Sequence, residues 1–160
     1  MGALCHNQRR GEIKQGNADA FNLKAVPEFP KQKVFVGLES DGGAAMEALN
    51  IGTTIRKRGF DTLVLKTCAS ACALIWLAGH TRWAGPKAAI GFHAIYYGEG
   101  NISSGGNALV GAYLRDLGLS LKAIRYLTQA PPDGMEWLSI ESAYKHDIKV
   151  QVFKEPEKYE

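Results

Sequence analysis

Thr62-Leu-Val-Leu-Lys-Thr-Cys-Ala-Ser-Ala-Cys-Ala-Leu-Ile-Trp-Leu-Ala-Gly79 is the stretch that decides the fold. Its opening, Thr62 to Lys66, is rich in large apolar and β-branched residues and reads as a buried strand. A turn of small residues follows, Thr67-Cys-Ala-Ser-Ala-Cys72. The segment Ala73-Leu-Ile-Trp-Leu-Ala78, stopped by Gly79, is too apolar all round for a surface helix and is predicted to be buried on most faces. Working upstream, Lys33-Val-Phe-Val-Gly-Leu-Glu39 is a second buried strand that ends in the tight turn Asp41-Gly-Gly43. Between the two strands, Ala45, Ala48, Leu49, Gly52 and Ile55 recur at threes and fours, which makes Ala44 to Arg58 a helix with Gly59 as its stop. A strand, helix and strand of these lengths imply a parallel pair joined by a right-handed crossover.

Downstream, Ala88 to Tyr96 reads as a third strand, and Gly98 to Gly106 as a long polar loop expected to be mobile. Asn107 to Leu117 and Ser120 to Gln129 read as helices, with Gly118 stopping the first and Ser120 capping the second. Pro131-Pro-Asp-Gly134 is a turn, Ser139 caps a short helix through Lys145, and Ile148 to Phe153 alternates as a last strand. Near the start, Glu12 to Leu23 has the apolar content for a strand and a short helix. Alternating strands and helices place the chain in the α/β class, with a mainly parallel sheet. The expected organisation is a mobile tail over 1–10, one domain over 11–154 and a charged tail over 155–160.

Composition excludes several function classes. The 160 residues are 46% hydrophobic and 22% charged, the make-up of one globular domain rather than of a disordered, collagenous or coiled-coil chain. Nineteen Lys and Arg against sixteen Asp and Glu leave a net charge of +3, too small for the basic stripe of a nucleic-acid binder. The longest apolar run, Ala69 to Gly79, is far short of the roughly 18 residues of a membrane span, so a soluble protein is expected. Met1 to Arg10 has no apolar core of a secretory signal, which leaves a cytoplasmic protein or one whose signal precedes this numbering. Three cysteines are unlike a multi-bridge framework. Cys68 and Cys72, four apart at a helix start, could just meet disulfide geometry, but two reduced, buried small hydrophobes are the preferred reading.

A strand that ends in a small-residue turn and opens into a buried helix is a ready mount for a nucleophile, because the first helical N–H groups are unpaired. Ser70 occupies that mount, with the Ala71 N–H beside it; the alternative is a plain N-cap serine. The Gly42-Gly43 turn lets backbone approach a ligand and offers the Gly43 N–H to an oxyanion. His93, on the apolar strand Ile90-Gly-Phe-His-Ala-Ile95, needs a partner or a cleft and is a candidate base for the Ser70 proton. No histidines have metal-ligand spacing beside a carboxylate or thiolate, so no metal is expected, and no phosphate-binding glycine motif is present.

A Gly-Gly turn after one strand, a small-Ser-small turn after the next and a Gly-Phe-His strand beyond resemble the proteolytic subunit of the Clp protease and the wider Clp/crotonase superfamily. Ser40-Asp-Gly-Gly43, Cys68-Ala-Ser-Ala-Cys72, Leu77-Ala-Gly79 and Ile90-Gly-Phe-His93 look most like its bacterial, often exported, Clp-protease-like members. The resemblance implies a Clp/crotonase-like fold, Ser70 as nucleophile, His93 as general base, and the Gly43 and Ala71 N–H groups as oxyanion hole. It also implies a peptide or other acyl substrate, no cofactor, and assembly into a homo-oligomer to which Leu109 to Leu117 contributes. The family's acid precedes a Phe-Leu-Ser stretch whose counterpart is Trp137-Leu-Ser139. The matching position holds Met135, which cannot orient a histidine, and Asp133 and Glu136 are the nearest substitutes, with Asp133 preferred. A crotonase-type enzyme acting on acyl-CoA thioesters, and a catalytically silent binding or assembly module, are the competing readings.

Overall fold

The computed structural model describes residues 11–24, 33–98 and 100–153; the tails expected over 1–10 and 155–160 lie outside them. The long strand β2 (Asp61–Ala69) is the axis of the molecule. Its first half lies between two parallel neighbours, β1 (Phe35–Ser40) and β3 (Arg82–Ala84), with Leu63 facing Gly37 and Trp83 in register. Its second half keeps Ser40 on one side and takes β4 (Ala89–Phe92) on the other, Ala69 being paired with Gly91. The parallel pairing of β1 and β2 is that read from the sequence. The edges are β8 (Gln151–Val152), parallel to β3, and β7 (Glu136–Trp137), antiparallel to β4. The result is a mixed, mostly parallel, curled sheet forming a half-barrel, with helices packed on it.

The helices follow α1 (Asn17–Lys24), α2 (Ala45–Arg58), α3 (Ala71–Leu77), α4 (Ser104–Asp116), α5 (Leu121–Leu127) and α6 (Ile140–Lys145). All seven residues of α3 are buried, as its apolar sequence requires. Trp76 in its last turn is fully buried and donates its indole N–H to the Trp83 carbonyl at 3.1 Å, while its own carbonyl accepts from Thr62 Oγ1 at 2.7 Å. Gly52 of α2 lets α4 close in, since a Cβ there would collide with the Tyr113 hydroxyl. That hydroxyl donates to the Leu74 carbonyl at 3.0 Å, and burial pushes the phenol well above its ordinary range. Buried Arg82 donates to the Leu77 carbonyl at 2.7 Å and satisfies the C-terminus of α3; burial lowers its guanidinium to about 10.

At the sheet's lower end, buried Asp61 accepts from the Thr81 N–H and the Trp83 indole, and pairs with Lys33 at 3.0 Å. Burial alone would raise this carboxyl, but those donors outweigh it and hold it below its ordinary value.

Several boundaries differ from the sequence reading. The third strand stops at Phe92 instead of running to Tyr96, because Ala94 turns to bond the Ala130 carbonyl and Ile95 is taken by a side chain described below. The stretch 98–106, expected as a polar loop, belongs to a hairpin of β5 (Tyr96–Tyr97) with β6 (Asn101–Ile102) and to the first turn of α4, which Ser103 caps by accepting from the Gly106 N–H. The three-residue β3 has no counterpart in the sequence pattern, and the last strand is confined to Gln151–Val152. Ser120 and Ser139 cap α5 and α6 as expected.

Candidate active site

The C-terminal ends of β1, β2 and β4 converge on one face, the place where α/β sheets present their ligands. At the end of β2 the chain turns directly into α3, and Ser70 is the pivot. It has φ 56° and ψ −124°, a conformation that residues with a Cβ seldom adopt and that costs on the order of 1–3 kcal/mol. Its N–H is held by the Gly91 carbonyl at 2.8 Å. Its hydroxyl makes no capping hydrogen bond although the residue stands at the N-cap position of α3. The plain N-cap alternative is therefore not what the geometry shows. A serine on a strained strand-to-helix turn, its Oγ unspent on the backbone, has the construction of a nucleophile elbow.

The Gly42-Gly43 turn is packed onto this pivot. A Cβ on Gly42 would lie 2.7 Å from Ser70 Cβ, and one on Gly43 would collide with the Ile13 backbone, so both positions need glycine on space as well as on their φ of 118° and 137°. Ile13 forms a parallel bridge with Gly43, but its bonds go to Gly42 O and Ala44 N, both 2.8 Å, leaving the Gly43 N–H outside the bridge. The Ala71 N–H belongs to the first helical residue and has no helical acceptor. Ser40, buried at the end of β1, sets the turn: its hydroxyl accepts from the Gly42 N–H at 3.1 Å and donates to Gly11 O at 2.5 Å.

A cavity of about 540 Å³ opens between these elements, and Gly43, Ser70, Ala71 and His93 all line it. Leu74, Phe92, Val110, Leu114 and Leu127 form its apolar wall, and Glu12, Asp41, Tyr96, Asn107 and Thr128 contribute further polar groups. His93 stands just beyond β4, the strand next to β2. Its Nδ1 lies 2.8 Å from the Ala94 carbonyl oxygen, and because a carbonyl only accepts, Nδ1 carries a hydrogen; in the neutral ring that leaves Nε2 bare. Among the described residues neither Nε2 nor the Ser70 hydroxyl has a hydrogen bond, to the other or elsewhere. Tyr96 shields one side of the imidazole, the ring centroids 5.6 Å apart.

Cys68 and Cys72 are joined by a disulfide, their Cα atoms 5.2 Å apart, where two reduced thiols had been the preferred reading. The bridge is fully buried and spans the pivot. Asp133 is exposed in the turn closed by Gly134 N–H to Pro131 O and does not line the cavity. Met135 lies against Gly91, filling the space beside β4, and Glu136 accepts from the Gln129 amide at 2.7 Å. No cluster of metal-binding side chains occurs among the described residues.

Two residues that the sequence reading left without a role belong to this site. Ser40 stands two positions before Gly42, the spacing of a serine turn, and that much was available from sequence. Asn107 had no local signal for this role, because the Ile95 backbone groups that it binds lie twelve residues upstream. Fold and site together define an α/β protein whose curled sheet carries a cavity lined by a strained serine, a histidine and two loosely committed backbone N–H groups. No protein-family model matches the chain, and no curated protein matches it.

Proposed function

We propose that this protein is a serine hydrolase, of peptidase type, with a Clp/crotonase-like fold. The observation that carries the reading is Ser70: strained, uncapped, and opening on a cavity shared with His93 and with the Gly43 and Ala71 N–H groups. In this reaction the Ser70 Oγ attacks an acyl carbonyl as His93 Nε2 takes its proton. The oxyanion is received by the two N–H groups, the leaving group takes the proton from His93, and water resolves the acyl-enzyme through the same base. The substrate is a peptide or another acyl compound. Assembly into a homo-oligomer belongs to the same reading.

A second reading, a catalytically silent binding or assembly module, is favoured by one observation: among the described residues no carboxylate bonds His93. A crotonase-type acyl-CoA enzyme needs a carboxylate facing the two N–H groups. Glu12 and Asp41, the carboxylates lining the cavity, are both solvent-exposed. Stopped-flow turnover of activated acyl esters separates these readings. A burst of leaving group equal to the protein concentration is expected. Ser70→Ala should abolish it, and His93→Ala should slow it by about 10²–10⁴-fold. No burst from folded protein would remove the hydrolase reading.

A further inference from the structure

We infer that Asn107 is the positioning residue for His93, working through the peptide bond between Ala94 and Ile95 in the place where a serine hydrolase more often has an acid. The inference rests on the hydrolase reading for its consequence, and on hydrogen bonds alone for its geometry. The His93 Nδ1–H donates to the Ala94 carbonyl at 2.8 Å, and the N–H of the same peptide group, on Ile95, donates to Asn107 Oδ1 at 2.9 Å. A peptide whose N–H is engaged is a better acceptor at its carbonyl, because each bond polarises the next. The Asn107 orientation is unambiguous. Its Nδ2 donates to Ile95 O at 2.9 Å and to Ser103 O at 2.8 Å, two acceptors that would repel Oδ1.

The flanking peptides are held by bonds of their own, which leaves Asn107 Oδ1 as the hold on the N–H of the Ala94–Ile95 peptide itself. The Ala94 N–H is held by Ala130 O and Ile95 O also accepts from the Ser103 N–H, both at 2.9 Å. Asn107 itself is fixed on the first turns of α4 and lines the cavity. An unheld peptide at this point could rotate, present its N–H to the imidazole, and leave the hydrogen on Nε2, the nitrogen that must be bare to receive a proton from Ser70. Asn107 therefore selects the tautomer in which Nε2 is the base, without supplying a charge. Asp133, which does not reach the cavity, and Met135, which cannot accept a hydrogen bond strongly, are not needed for that task.

The test is long-range ¹H–¹⁵N spectroscopy of the histidine rings above their titration range, with His93 assigned from His93→Ala, alongside the rate of fluorophosphonate labelling. Wild-type protein is expected to hold His93 with hydrogen on Nδ1. Asn107→Ala should move the population toward the Nε2–H form that free histidine favours, and slow labelling at least tenfold. The Ile95 amide, held by Asn107 Oδ1, should be protected from hydrogen exchange in the wild type. A wild-type ring carrying its hydrogen on Nε2 overturns the inference. So does Asn107→Ala with unchanged tautomer and rate, or, should that variant not fold, a wild-type Ile95 amide that exchanges with solvent as an unbonded one does. A wild type that takes no probe, but whose Nδ1–H form is lost in Asn107→Ala, supports the Asn107 role while removing the hydrolase reading.

Discussion

Ser70 stands where a helix invites a capping hydrogen bond and does not make one, at φ 56° and ψ −124°. Those two facts predict an inverse relation between stability and reactivity at this residue. Ser70→Gly removes the side chain that the backbone angles disfavour, whereas Ser70→Ala keeps a Cβ in the same conformation. Urea unfolding should find Ser70→Gly more stable than Ser70→Ala by about 1 kcal/mol, both being inert. Equal stability would mean that the angles carry no strain. Gly42→Ala belongs to the same pair of residues: its Cβ would meet Ser70 Cβ at 2.7 Å. It should lower both stability, by about 1–3 kcal/mol, and the burst rate. Away from the site, Asp61 makes acid stability testable. Its folded carboxyl is held below its ordinary value, so its contribution is fully present above the unfolded value of about 3.9 and is lost as pH falls through the folded one. Asp61→Asn should cost about 1–3 kcal/mol near neutral pH and progressively less in that acid window, as measured by unfolding at several pH values.

At the scale of elements, the turn between β2 and α3 is held by two kinds of bond. The ladder to β4 ends in the Ser70 N–H to Gly91 O bond, and the disulfide from Cys68 to Cys72 closes a ring around the pivot. Cys68→Ala with Cys72→Ala should lower stability by about 2 kcal/mol, the loop-closure value for so short a ring, and reduce the fraction of protein that shows a burst. Unchanged thermal stability and burst amplitude would show that the ladder alone sets the turn. This turn was legible in sequence because β2 and α3 are long, apolar and separated by small residues. The Gly42-Gly43 turn was legible for the same reason. The break after Phe92 was not, since Ala88 to Tyr96 is apolar apart from His93 and holds no turn residue after Gly91. What ends the strand is the Asn107 side chain, which takes both the N–H and the carbonyl of Ile95 from outside the local sequence. Strands of two or three residues such as β3, β5 and β6 hold too little periodicity to register. The cysteine spacing permitted a bridge but did not require one, and only the fold around α3 brings the sulfurs together.

At the scale of the molecule, the half-barrel places the candidate nucleophile, base and N–H donors at the C-terminal ends of three adjacent strands, above an apolar wall supplied by α3, α4 and α5. The role expected for Leu109 to Leu117 in assembly changes in this light. Val110, Tyr113, Leu114 and Leu117 are buried in the protomer, and of the apolar residues in that stretch Leu109 and Ala112 are exposed. Under the proposed oligomeric reading, light scattering should give a multiple of the 17.4 kDa chain; a single protomer at micromolar concentration would remove that part. Whether Ser70 is an activated nucleophile is decided by mass-spectrometric mapping of a fluorophosphonate adduct on folded protein. One adduct, on Ser70, suppressed by His93→Ala, is the expected result. An unmodified Ser70 would contradict it.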